Sequence, residues 1–185
     1  MCTQNYSMQT NPQNVVVSFR IDTVLKNKLQ NECEKKSINF STLVNQILVR
    51  HVRWDNMAEK MDMITMPKTV YKSYTSRISD EGIEEIARTA EREGFKNYTL
   101  LNTGEFTTKS FLETLDLWLT INHIPYEHTI TNNDSHQFVV RHNLGVKFSI
   151  LLNHIVNDLV EELDRKYTNM NSTDENLTFV IEKGA

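Results

Sequence analysis

The chain has 185 residues, a net charge of −4, and 39% hydrophobic and 24% charged residues. That composition is expected of a soluble globular protein with one ordinary domain or two small ones. No apolar run approaches the roughly 20 residues of a membrane span, and the two cysteines, Cys2 and Cys33, are too few for a disulfide framework.

Residues 1–13 are polar and uncharged. They lack the basic and apolar regions of a signal peptide, so an arm and a cytoplasmic location are expected. From Asn14 to Asp22 the side chains alternate. Val15, Val17, Phe19 and Ile21 fall on one side, and Asn14, Val16, Ser18 and Arg20 on the other. This predicts a strand with no partner among its neighbours. Asp22 caps a first helix that reaches about Lys36, with Leu25, Leu29 and Cys33 on its apolar face. Ser37–Ser41 breaks it. Asn39 caps a second helix bearing Leu43, Val44, Ile47, Leu48, His51, Trp54 and Ala58. That stripe extends towards Met57, Met61 and Ile64, with Arg50 interrupting it.

Pro67 marks a boundary. A short helix to Arg77 is expected to turn Val70, Tyr71 and Tyr74 inward. Another starts at Ser79-Asp80-Glu81, carries Ile83, Ile86, Ala87 and Ala90, and stops at Gly94. Residues 95–106 read as irregular, with a short strand at Tyr98–Leu101. Thr107 caps an amphipathic helix with Phe111, Leu115, Trp118 and Leu119, ended by Pro125. Tyr126–Thr131 and His136–Arg141 alternate as a hairpin. The longest helix is expected over Val146–Tyr167, followed by a polar loop, Thr168–Glu175, and a closing strand, Leu177–Glu182. Helices, hairpin, helix and strand in that order predict an α+β domain with a small antiparallel sheet.

Charge divides along the chain. Residues 1–60 hold 8 Lys/Arg against 5 Asp/Glu, a net of +3; the remainder holds 12 against 19, a net of −7. A positive head on a negative body points to contact between the head and a polyanion.

Residues 14–58 resemble a ribbon-helix-helix domain of the Arc/MetJ/CopG type. The resemblance rests on the alternating strand with Arg20-Ile21-Asp22, Leu25 and Leu29 in the first helix, the turn at Ser37–Ser41, and Phe40-Ser41-Thr42-Leu43-Val44-Asn45 opening the second. It covers about a quarter of the chain. Many members have glycine in the inter-helix turn, where this chain has Lys36-Ser37. The resemblance implies a homodimer that inserts its paired strands into the major groove of double-stranded DNA. Val16, Ser18 and Arg20 would read bases, Arg20 through two bonds to a guanine. The start of the second helix, with Asn39, Phe40 and Ser41, would hold a phosphate. Lys26, Lys28, Lys35 and Lys36 would add weaker backbone contacts.

The domains expected are therefore an arm (1–13), a ribbon-helix-helix unit (14–60), a linker or helix extension (61–66) and an α+β sensory or oligomerisation domain (67–185). The function expected is a DNA-binding transcriptional regulator, dimeric or of higher order, whose second domain takes a small molecule or a protein. The alternatives are an antitoxin and a dimerising interaction module. A plain α+β start, with residues 15–21 joining the later sheet, is a further alternative.

Five histidines lie beyond residue 120. His128 and His142 are the candidates for an effector site, the latter where a strand turns into the long helix. A metal-responsive regulator would use such histidines, but no HxH, CxxC or HExxH spacing exists, so neither metal nor other cofactor is expected. Glu127, His128, Asp134 and His136 could be drawn as an acid/base cluster. Without a nucleophile elbow, P-loop or Rossmann glycine pattern, an enzyme is not expected.

Overall fold

Residues 15–131 and 134–184 are described by a computed structural model. The expected arm, Asn14, and the turn residues Asn132 and Asn133 lie outside them. The chain divides into two compact units, residues 1–47 and 48–185. The division falls inside the second helix, ahead of the segment 61–66 expected as a linker or helix extension.

The first unit is two helices preceded by an extended segment. Asp22 accepts hydrogen bonds from the Val24 and Leu25 amides and starts α1 (Thr23–Lys36). Ser37 ends α1 in the left-handed region, at φ 54°, the conformation for which glycine is the usual residue. Asn39 then takes the Thr42 amide at 2.8 Å and caps α2 (Phe40–Arg50). Residues 15–22, expected as part of a strand, form no ladder among the described residues. They do not join the later sheet either, because that sheet takes its strands only from residues 126–183. Without a ladder partner among the described residues, the segment is extended but not a strand.

In the second unit the helix of α2 runs on through a π-helical turn, His51–Asp55, into α3 (Asn56–Lys60). The widened turn follows Arg50, where the apolar stripe is interrupted, and Arg50 pairs across it with Asp55 at 3.6 Å. Trp54, Met57 and Met61 then pack with Tyr98, Leu117 and Ile121 in a small core. Ile64 lies beyond the helix.

α4 (Lys68–Thr75) turns only Tyr71 and Thr75 inward; Val70 and Tyr74 are exposed, correcting the expected face. Ser79 caps α5 (Asp80–Ile86), a π-helical turn spans Ala87–Glu91, and α6 (Arg92–Thr103) follows without a break. Gly94 therefore does not stop the helix. Gly104 does, at φ 81°. The expected strand at Tyr98–Leu101 is helical, with Tyr98 and Thr99 buried. Thr107 and Ser110 form a reciprocal capping box for α7 (Thr108–Ile121).

Four antiparallel strands make one sheet in the order β1-β2-β4-β3. They are β1 (Tyr126–Thr131), β2 (Ser135–Arg141), β3 (Arg165–Ser172) and β4 (Asn176–Lys183). α8 (Val146–Glu162) comes between the two hairpins. It ends five residues earlier than Tyr167, with Asp164 at φ 54°, and the polar segment expected as a loop is strand β3. Polar residues suffice there because β3 is an edge strand, bulged between Asn169 and Asn171.

One face of the sheet carries Phe138, Val140, Leu177, Phe179 and Ile181, all buried against Ile83 of α5, Phe111, Leu115 and Leu119 of α7, and Leu152, Ile155 and Leu159 of α8. Each such side chain contributes about 1.5–3 kcal/mol by leaving water. The other face carries Gln137, Val139, Thr178 and Val180, only half-buried, as an antiparallel sheet permits. The architecture is α+β. Among the described residues no helix is long and apolar enough to cross a membrane.

Candidate functional site

The residues expected to meet DNA all lie in the first unit. Val16 is 94% exposed, and Ser18 and Arg20 are exposed beside it. On the same segment Val15, Val17 and Phe19 are 79%, 74% and 59% exposed, and Val24 and Leu25 of α1 are exposed too. Only Cys33 and Leu43 are buried among the described residues of this unit. So small a core is far from enough to hold a unit of this size folded on its own.

At the start of α2, Asn39 is spent on the Thr42 amide, and the Leu43 amide bonds the Asn39 carbonyl. The first amides of a helix have no partner within it. Among the described residues no acceptor is recorded for the amides of Phe40 and Ser41, which stand at the positive end of the helix dipole.

The two effector candidates belong to separate clusters. His142 is 1% exposed and fully engaged. Its Nδ1 accepts the Leu144 amide at 3.0 Å, and its Nε2 lies 2.8 Å from Ser149 Oγ. Ser149 donates its own proton to the Thr173 carbonyl at 2.6 Å, so the Ser149 oxygen must accept from His142. The ring is thereby fixed as the neutral Nε2–H tautomer. Burial, with Lys72 nearby, pushes its pKa down to about 4. No valence remains for a ligand, and His142 serves the turn into α8.

His128 is half-buried on β1. Its ring stacks on Phe138 at 4.0 Å, its Nδ1 lies 3.1 Å from the Asp116 carboxylate of α7, and its Nε2 lies 3.0 Å from His136 Nδ1. In the register of the hairpin His128 faces Phe138 and Ile130 faces His136, which makes the two histidines diagonal neighbours on the inner face. Asp134 continues the line from the hairpin turn, and Arg165 holds Asp134 Oδ2 at 2.8 Å. That bond and charge keep Asp134 below the usual carboxylate range. Glu127, drawn with these residues from the sequence, instead pairs with Arg141 at 2.8 Å on the exposed side. The members that sequence reasoning missed are Asp116 and Arg165. The helical spacing placed Asp116 on α7, but nothing local signalled its partner on β1.

Among the described residues no group of three or more His, Cys, Asp or Glu side chains is arranged to hold a metal ion. No protein-family model, characterised protein or solved structure matches the chain.

Proposed function

We propose that the chain is a sequence-specific DNA-binding regulator that works as a homodimer through a ribbon-helix-helix unit. The observation that carries this reading is the segment 15–21. It presents alternating apolar residues to solvent, has no strand partner among the described residues, and leads into two capped helices with almost no core among those residues. Pairing with a second copy would satisfy its backbone and cover Val15, Val17 and Phe19 together. Val16, Ser18 and Arg20 would then face outward on the ribbon, and the free amides of Phe40 and Ser41 would take a phosphate. The net charge of +3 on residues 1–60, doubled in a dimer, agrees in sign with a polyanionic partner.

The second reading is a dimerising interaction module, which the same exposed apolar segment favours equally. Selection of bound sequences from a random pool of double-stranded DNA separates the two. Enrichment of an inverted or tandem repeat is the expected result. A dimer that enriches nothing and is not retained on DNA at moderate salt would replace this reading with the interaction module. An antitoxin is a weaker alternative, because the C-terminal portion is an ordered α+β unit.

A further inference from the structure

The sheet of the second unit has two unlike edges among the described residues. At one, β3 opens on Arg165-Lys166 and is bulged between Asn169 and Asn171; both features discourage the addition of a further strand. At the other, β1 pairs with β2 at every residue from Tyr126 to Thr131 and carries no bulge, proline or lysine. Ile130 stands on its inner face, opposite His136, yet is 63% exposed.

One bond fixes the direction of the β1 backbone groups. The Arg141 amide donates to the Pro125 carbonyl at 2.8 Å. Bonded and non-bonded pairs alternate along an antiparallel ladder. Glu127 and Thr129 therefore bond β2, while the N–H and C=O groups of His128 and Ile130 point away from it. The same alternation turns the backbone of His136 and Phe138 towards β4, and His142 continues it by donating to the Glu175 carbonyl at 2.8 Å. Among the described residues no hydrogen bond reaches the outward groups of His128 and Ile130.

We propose that the β1 edge docks the β1 edge of a second copy of this chain, antiparallel about a two-fold axis at His128, so that two sheets become one. The strand is self-complementary in that register. His128 meets His128 of the second copy and Ile130 meets its Tyr126, each as a bonded pair, so the outward groups of both copies face one another. On the inner face Ile130 and Tyr126 become cross-strand neighbours, which covers the exposed isoleucine. Each His128 ring stays turned to its own Asp116. On the outer face Glu127 meets Thr129, and no like charges are opposed. A shift of two residues one way would set Glu127 against Glu127; the other way would pair Tyr126 with residue 132, beyond the end of β1. The contact lies wholly in the second unit and is separate from the pairing proposed for residues 15–21.

The test uses the full chain. Glu127→Cys and Thr129→Cys are made separately, mixed and mildly oxidised. In the proposed register these positions form a non-bonded pair with Cα atoms about 4.5 Å apart, within reach of a disulfide. The mixture should give a disulfide between position 127 of one chain and position 129 of another, located by peptide mass spectrometry. Neither variant alone should cross-link at those positions. Ile130→Pro removes an N–H that bonds nothing in β2, so the hairpin should melt as before. It should abolish the cross-link and, in a Val17→Asp background, weaken self-association about tenfold in sedimentation equilibrium, since one bond is lost on each side of the axis. The cross-link reports on β1 whether or not residues 15–21 pair, so the two contacts fail separately. A mixture that cross-links no better than either variant alone, or self-association unmoved by Ile130→Pro, would overturn the proposal.

Discussion

His142 donates its Nε2 hydrogen to Ser149 Oγ at 2.8 Å, and Ser149 passes its own on to the Thr173 carbonyl at 2.6 Å. The relay joins the turn after β2, the first turns of α8 and the end of β3. Ser149→Ala would leave a buried N–H and a carbonyl unpaired. It is expected to cost roughly 1–3 kcal/mol in urea unfolding, with the midpoint lowered and the slope unchanged.

The same ring gives the fold a pH dependence of known sign. His142 has its pKa lowered to about 4 by burial, against an ordinary 6.5. Above pH 6.5 both folded and unfolded chains hold it neutral. Below that the unfolded chain takes the proton and the folded chain does not. Stability should fall as pH drops from about 6.5 towards 4, by on the order of 3 kcal/mol for this group. Unfolding curves of the wild type and His142→Gln across that range check this; the variant should start lower and decline less steeply.

Gly104, and not Gly94 as the spacing predicts, ends the helix. A Cβ at Gly94 would meet nothing within 4 Å in the middle of a helix, whereas Gly104 sits at φ 81°. Gly94→Ala should therefore stabilise by roughly 0.5–1 kcal/mol, and Gly104→Ala should destabilise by about 1 kcal/mol. Paired thermal melts decide it, and effects of the opposite signs would show that Gly94 is the helix end after all.

These two glycines show where sequence and structure part company. A glycine after an apolar stripe is a fair helix stop, but Tyr98, whose hydroxyl bonds the Arg53 carbonyl at 3.1 Å, draws the next turns into the small core with Trp54. That contact spans 45 residues, which no local pattern reveals. The caps at Asp22, Ser79 and Thr107 were legible, because each acts on amides two or three residues away. So was the hairpin, whose inner face alternates. Strand β3 was not, since an edge strand of Lys, Asn, Thr and Ser reads as a loop until β4 pairs with it. The histidine line was half legible. The hairpin set His128 and His136 on one face, but Asp116 and Arg165 arrive from elements that only tertiary packing brings near.

Ser37 carries the turn between α1 and α2 at φ 54°, in the region where a side chain is strained. Ser37→Gly should relieve that strain by roughly 0.5–1 kcal/mol. Amides at the end of α1, including Ser37 and Ile38, which bond back to the Glu34 and Cys33 carbonyls, should exchange several-fold more slowly. Faster exchange would mean that the entropy of the added glycine outweighs the strain.

Arg20 decides between the two readings of the first unit. If residues 15–21 pair with a second copy and the ribbon enters DNA, the Arg20 guanidinium is the strongest of three outward readers, since its fork matches guanine O6 and N7. Val16 could meet only a thymine methyl, and Ser18 makes one bond. Arg20→Ala should then weaken the selected site by on the order of 1–3 kcal/mol, relax preference at one base pair, and leave the dimer intact by sedimentation. Val17→Asp should do the reverse, because a charge on the inner face of the paired strands opposes dimerisation itself. Wild-type affinity in Arg20→Ala would remove the base-reading role. Loss of the dimer in Arg20→Ala would instead show that Arg20 serves the contact between copies.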